Sequence, residues 1–387
     1  MRVLLTSTDN PYITHLGGKH IHLLLLEQGL KEIDIHVTTL YYNPKSLREF
    51  IKRSTLIFLR GKYGYTRKLK WMINYLEKHT PKEEFDVIHA HDVLSISAMK
   101  LMPQKKVLTL HGYFARENIE FIKNKKDRET IYPHLLQLEK HAMKHADYVI
   151  TVDQRIKEYV ISEFGFPADR IALIHNAVDT NRFAPISEKQ QQELKKNAGF
   201  SANDTVVLVP RRLVEKNGVI YAVRAMTYLK NDDVRMIIAG SGPERENIVE
   251  EAKNDSRIHL VGTISHNKID QHYKMADIIL IPSITSHGVQ EASSLAMLEG
   301  MACGKVVICS EIGGMREIIQ NMKNGVMTKE KDSAEIAKAV ETIIENRRLM
   351  TELGGRARKY VQQNHSYLVH ARKVLEIYNK VLGEKRS

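Results

Sequence analysis

The chain has 387 residues, 43% apolar and 27% charged, with Lys+Arg 58 against Asp+Glu 46 and a net charge of +12; this is enough chain for two domains with separate cores. Two cysteines, Cys303 and Cys309, exclude a disulfide framework and a four-cysteine zinc site. No apolar run approaches the ~20 residues that span a bilayer, and the start at Met1–Thr6 lacks the long apolar region of a secretory signal. A cytoplasmic location and anionic partners are therefore expected.

Short apolar runs alternate with longer helical patterns. The first set of expected strands is Arg2–Leu5, Ile33–Thr38, Val87–His91, Lys106–Leu110, Tyr148–Val152 and Ile171–His175. Between the second and third lies a basic stretch, 45–71, holding Lys45, Arg48, Lys52, Arg53, Arg60, Lys62, Arg67, Lys68 and Lys70 against Glu49, with Leu56, Phe58 and Trp71 interleaved. It reads either as a solvated helical face or as peripheral contact with a membrane inner face. Turn chemistry at Asp179–Pro185 marks a boundary, and a polar helix from Ser187 to Ala198 leads into a second set: Val206–Pro210, Arg235–Ala239, Ile258–Val261, Ile278–Pro282 and Val306–Cys309. An amphipathic helix, Ser366 to Leu382, closes the chain. Near-continuous apolar strands separated by helices imply parallel sheets covered on both faces. Two such sets imply two doubly wound Rossmann-like domains, 1–180 with 366–387 and 181–365.

In open α/β sheets, ligands bind beyond the carboxyl ends of the strands, so the residues there are the candidates. Gly17-Gly18 precede the first helix and permit close backbone approach. His111-Gly112 end the fourth strand, where a histidine can meet a hydroxyl or phosphate or simply cap the strand. His89 and His91 share a strand face, but no third ligand at a familiar spacing argues for a metal. After Val206–Pro210 come Arg211, Arg212 and Lys216, a cationic set suited to diphosphate. Gly240-Ser-Gly242 lacks the third glycine of a dinucleotide fingerprint, but its two glycines are expected to form a turn that lets a ligand approach closely.

The most informative segment is Glu291-Ala-Ser-Ser-Leu-Ala-Met-Leu-Glu299-Gly-Met-Ala-Cys-Gly304. Ser293 or Ser294 can cap a helix to about Ala302. The two glutamates are then separated by roughly 12 Å along its axis, near the span from sugar to ribose in a nucleotide sugar. Helix amides between them favour phosphate. An ordinary amphipathic helix with solvated glutamates is the competing reading.

Together with Arg212-Leu-Val-Glu-Lys-Asn-Gly, Gly240-Ser-Gly-Pro, Asn176-Ala-Val-Asp-Thr-Asn-Arg-Phe, Val261-Gly-Thr-Ile and Tyr273-Lys-Met-Ala-Asp277, this segment resembles the retaining glycosyltransferases of the GT-B fold, family 4, over nearly the whole chain. The resemblance implies two domains facing across a cleft, with the C-terminal helix crossing back to the N-terminal one. It implies a UDP-sugar donor such as UDP-GlcNAc or UDP-glucose, and no metal or other cofactor. Glu291 would meet donor-sugar hydroxyls, Glu299 the ribose, Arg212 and Lys216 the diphosphate, and Ile264 the base through its backbone. Ala292, Ser293, Ser294 and Leu295 would present amides to phosphate and sugar. His111 would be directed at the donor sugar, and Gly18 would admit the diphosphate. Three positions depart from the pattern: Arg211 stands where glycine is usual, Asn217 stands in the lysine position with Lys216 displaced by one, and Ala292 follows Glu291 where glycine is frequent. The acceptor is open among a lipid-linked glycan, a polysaccharide and a small metabolite or aminocyclitol. Two alternatives remain: a nucleotide-sugar epimerase on the same fold, and a non-enzymatic basic protein binding membrane or nucleic acid, although nucleic acid is not an expected partner of the transferase.

Overall fold

The computed structural model describes residues 1–12, 17–43, 62–120, 122 and 124–383; most of the basic stretch 45–71 lies outside them. The chain divides into two compact units, Met1–His175 with His370–Ser387, and Asn176–Val369. Each is built on a six-stranded, wholly parallel sheet.

The first unit runs β1 (Arg2–Ser7), α1 (Gly18–Glu32), β2 (His36–Tyr41), α2 (Lys62–His79), β3 (Val87–Ala90), α3 (Val93–Ala98), β4 (Lys105–Leu110), α4 (Phe114–Glu120), α5 (Lys125–Met143), β5 (Tyr148–Thr151), α6 (Gln154–Phe164) and β6 (Ile171–Leu173). Strand order is β2-β1-β3-β4-β5-β6. The order reverses between β1 and β3, so the loops after these strands diverge and leave a crevice at their carboxyl ends. The second strand starts three residues later than its apolar pattern suggests. Ile33 and Ile35 instead close α1, both of their N–H groups donating to the Leu30 carbonyl, and Asp34 takes a positive φ of 62°.

The second unit continues with α7 (Glu188–Asn197), β7 (Thr205–Val209), α8 (Val219–Met226), β8 (Val234–Ala239), α9 (Arg245–Ala252), β9 (Ile258–Gly262), α10 (His266–Met275), β10 (Ile278–Ile281), α11 (Leu295–Ala302), β11 (Val306–Ser310), α12 (Met315–Ile318), β12 (Val326–Thr328), α13 (Ser333–Glu345) and α14 (Arg347–Asn364). Its order, β12-β11-β10-β7-β8-β9, reverses between β7 and β10. Strand β12 is a three-residue edge strand, too short for a periodic signal. At the base of the sheet the buried Asp277 carboxylate accepts from Lys195 Nζ at 2.7 Å, Val206 N at 2.8 Å and Gln191 Nε2 at 2.9 Å. That arrangement pins α7 to the amino ends of β7 and β10.

The last helix, α15 (Tyr367–Leu382), begins in the second unit and ends in the first. There Ala371, Val374 and Tyr378 are buried with Val3, Leu5, Leu26, Val107 and Ile150. The Tyr378 hydroxyl lies 2.7 Å from His89 Nδ1, whose Nε2 lies 2.7 Å from Thr109 Oγ1. Both cysteines are buried and unbridged. No helix among the described residues is long and apolar enough to cross a membrane.

Candidate active site

In the second unit the loops after β7 and β10, which flank the reversal of strand order, are tied into one body. Ile284 N donates to the Lys216 carbonyl at 2.9 Å. Gly218 sits at φ +61° against the Pro282 carbonyl, where a Cβ would overlap the oxygen. The Arg211 side chain turns inward, 9% exposed. Its Nη2 reaches Asn217 Oδ1 at 2.5 Å, Ser283 Oγ at 3.0 Å and Glu291 Oε2 at 2.8 Å, and its Nη1 reaches Ser294 Oγ at 3.2 Å. Asn217 is oriented for this by its Nδ2, which donates to the Arg212 carbonyl at 2.8 Å. Glu291 is thus fixed at the carboxyl end of the sheet, partly exposed and ion-paired.

Sequence reasoning placed Arg211 in a cationic set but did not foresee that it would be the member reaching Glu291. Arg212 and Lys216 are exposed, whereas Asn217 is buried. The helix also starts later than expected. It opens at Leu295, so only the second half of the Glu291–Glu299 separation is helical and the 1.5 Å rise does not apply to the whole. Ser294 occupies the N-cap position without a side-chain capping bond, because its hydroxyl accepts from Arg211. Ser293 lies one residue before the N-cap. Its Oγ accepts from Asn176 N at 3.1 Å and its carbonyl from Asn176 Nδ2 at 2.9 Å. The Asn176-Ala-Val-Asp stretch therefore braces the segment from Ala292 to Leu295.

Glu299, inside α11, is buried. Burial raises its pKa to about 7, against a hydrogen bond from Tyr273 and the charge of Arg182, which pull it down. A carboxyl group poised between its two forms at neutral pH, beneath a strand-end site, is characteristic of functional positions. Arg182 also bonds the His266 carbonyl and Nε2, at the start of α10 just after Ile264, which is half-buried. Gly240 and Gly242 have a packing reason: a Cβ on either would overlap the carbonyl oxygen of Arg211 or Leu213. Backbone bonds from Leu213 N to Ser241 O (3.0 Å) and Glu244 N to Leu213 O (2.9 Å) complete this seam. Their space is filled by the arginine loop, so they serve the site by holding that loop.

In the first unit, Asp92 ties the end of β1 to the start of α1. It accepts from Ser7 Oγ at 2.9 Å, Thr8 N at 2.7 Å and Lys19 Nζ at 2.9 Å. Burial alone would raise its pKa; Lys19 and backbone N–H groups overcome this and lower it to about 2. Gly17 N–H donates to His20 Nδ1 at 3.1 Å, and α1 begins at Gly18. His111 follows β4 and joins a cluster with His22, His91 and His370. The His22 ring meets those of His111 and His370 edge-on at 4.5 and 4.9 Å, and His91 Nδ1 lies 3.4 Å from His111 Nε2. Burial, then mutual repulsion, holds His91, His111 and His370 well below the usual histidine pKa. They are neutral at pH 7, able to hydrogen-bond but not to supply charge.

The spacing argument against a third metal ligand beside His91 does not survive folding. His22 and His111 each bring a ring nitrogen within 4.8 Å of one from His91, from strands and a helix remote in sequence. The Lys19 ammonium, which lowers both His91 and His111, makes this set a poor cradle for a second cation.

Comparison with known proteins agrees with this geometry. The family description Glycosyltransferase Family 4 matches residues 16–182, and Glycosyl transferases group 1 matches 190–360. An uncharacterized glycosyltransferase of Methanocaldococcus jannaschii, MJ1607, is 25% identical over 94% of both chains. Sucrose-phosphate synthase from Thermosynechococcus elongatus superposes with a TM-score of 0.78 at 18% identity over 99% of both chains. Anabaena HepE in complex with UDP-glucose superposes at 0.71 and 18% identity, over 98% of this chain and 100% of that one. The chain belongs to the group 1, family 4 glycosyltransferases and has their two-domain α/β GT-B fold. It is a glycosyltransferase.

Proposed function

We propose that the protein moves a hexose or N-acetylhexosamine from a UDP-sugar to an acceptor hydroxyl, with retention of anomeric configuration. One observation carries the reading. Glu291 is held by a buried arginine where the loops after β7 and β10 meet, at the reversal of strand order, with the buried acid Glu299 in the helix that follows.

In this reading Glu291 accepts from donor-sugar hydroxyls and Glu299, in its ionised form, from the ribose. The amides of Ala292 to Leu295 and the exposed Arg212 take the diphosphate. As the sugar–phosphate bond breaks, charge grows on the leaving phosphate, and the Arg212 guanidinium and the helix amides stabilise it. Lys216 is on the same turn and is assigned the outer phosphate. His111, neutral, acts as a hydrogen-bond partner for substrate. No carboxylate is required as a nucleophile, because the departing phosphate can take the acceptor proton on the same face. No metal is required either, since arginine and helix amides meet the phosphate charge. The acceptor is a lipid-linked glycan, a polysaccharide or a small metabolite; a basic N-terminal unit suits an anionic one. The relatives' group supports the glycosyl-transfer reaction over an epimerase or a non-catalytic binding protein.

The test is donor hydrolysis followed by proton NMR in the presence of EDTA. An α-linked UDP-sugar should release the α-anomer first, and Glu291→Ala should abolish the release. First appearance of the β-anomer would remove the retaining assignment, and dependence on an added divalent ion would remove the metal-free one.

A further inference from the structure

We infer that Arg211, which the sequence offers only as one of a cationic set, is the positioning residue of the sugar end of the donor site, and that Asn217 is its obligatory partner. This rests on the donor-site reading given above. Arg211 lies one residue beyond Pro210 at the end of β7, and its planar head touches side chains from every segment that meets there. These are Asn217 of the same loop, Ser283 just after β10, Glu291 of the long loop, and Ser294 at the start of α11. A lysine could not replace it, because one ammonium cannot present a rigid fork to acceptors lying in several directions.

The arrangement is a poor choice for stability alone. The guanidinium is buried, its Nε has no hydrogen-bond partner, and a buried ion pair often contributes less than well-packed apolar side chains would. What the arrangement gives is orientation. One oxygen of Glu291 is committed to Arg211, so the carboxylate has a single direction before any donor arrives. The Ser294 hydroxyl accepts from the other arm of the guanidinium at 3.2 Å and helps to hold the head in place. Asn217 sets the guanidinium in turn, since its amide is locked by the Arg212 carbonyl. Arg211 therefore acts through Glu291, and its effect should fall on recognition of the sugar rather than the nucleotide.

The experiment compares affinities by calorimetry for UDP and for the tighter of UDP-glucose and UDP-N-acetylglucosamine, in wild type, Arg211→Gln, Asn217→Ala, Glu291→Gln and the Arg211→Gln/Glu291→Gln double variant. Asn217→Ala is included because it removes no charge and keeps the inference testable if Arg211→Gln folds poorly. Both Arg211→Gln and Asn217→Ala should weaken UDP-sugar binding about fivefold or more while changing UDP by less than about twofold. The double variant should be no weaker than Glu291→Gln alone, as expected of residues acting as a unit. Equal loss of UDP and UDP-sugar affinity, additive losses in the double variant, or no change in either single variant would overturn the inference. If Glu291→Gln itself leaves UDP-sugar binding unchanged, the donor-site reading fails instead, and the two failures are distinguishable.

Discussion

Glu299 gives the sharpest quantitative prediction. Burial raises its pKa from an ordinary 4.5 to about 7. If the ionised carboxylate is the form that accepts from the ribose hydroxyls, donor affinity follows the ionised fraction. That fraction is about one tenth at pH 6 and about nine tenths at pH 8, so binding should tighten roughly tenfold between them, or about 1.4 kcal/mol. A charge-assisted hydrogen bond to a hydroxyl is worth on the order of 1.5–3 kcal/mol, so the protonated form would not bind equally well. The assay is calorimetry at pH 6, 7 and 8 with a UDP-sugar rather than UDP, whose terminal phosphate titrates in the same range. Glu299→Gln should bind weakly and with no such slope. A flat wild-type profile, or an equal slope in Glu299→Gln, would refute the assignment of the ionised Glu299 to the ribose.

Two predictions concern the scaffold. Asp277→Ala strands the buried Lys195 ammonium, whose other bonded acceptor is the Asp204 carbonyl at 2.7 Å, and should cost about 3–5 kcal/mol in denaturant unfolding; the Asp277→Ala/Lys195→Met double variant should recover most of this, and equal losses in both would contradict the ion-pair account. Glu139 is buried, accepts from Ala115 N at 3.2 Å and Tyr159 Oη at 3.0 Å, and is raised to about 7 by desolvation. Between pH 4.5 and 7 the folded state keeps a proton that the unfolded state has released, so stability should fall as pH rises through that window, by about 3 kcal/mol. Glu139→Gln should flatten the thermal-melt profile across it, and an unchanged profile would argue against the shift.

Strand placement was legible because parallel strands buried on both faces leave unmistakable apolar runs; eleven of them could be placed from the sequence. The errors have local causes. Ile33 and Ile35 look like strand residues but close a helix, and Val326–Thr328 is too short to stand out. At the candidate site, the positions of Arg212 and Glu291 beyond strand ends, and of Glu299 inside the helix that follows, were legible from the sequence. The capping role given to Ser293 and Ser294 was not, because serine's preference for N-caps yields here to tertiary partners, Asn176 and Arg211. The importance of Arg211 could not come from spacing at all. A charge run does not say which side chain turns inward, and only the fold brings Asn217, Ser283 and Glu291 around one guanidinium. The histidine cluster is likewise a product of topology, assembled from the ends of β3 and β4, α1 and α15. One signal was present: the arginine in the glycine position and Asn217 in the lysine position both depart from the pattern, and in the structure they are in contact.

The most direct measurement is the binding of a UDP-sugar panel to the full chain, in wild type and in Arg212→Ala and Glu291→Ala. At least one UDP-sugar should bind the wild type in a one-to-one complex, with affinity reduced about tenfold or more in each variant. Absence of binding across the panel, or equal affinity in all three proteins, would contradict the assignment of this strand-end site to the sugar donor.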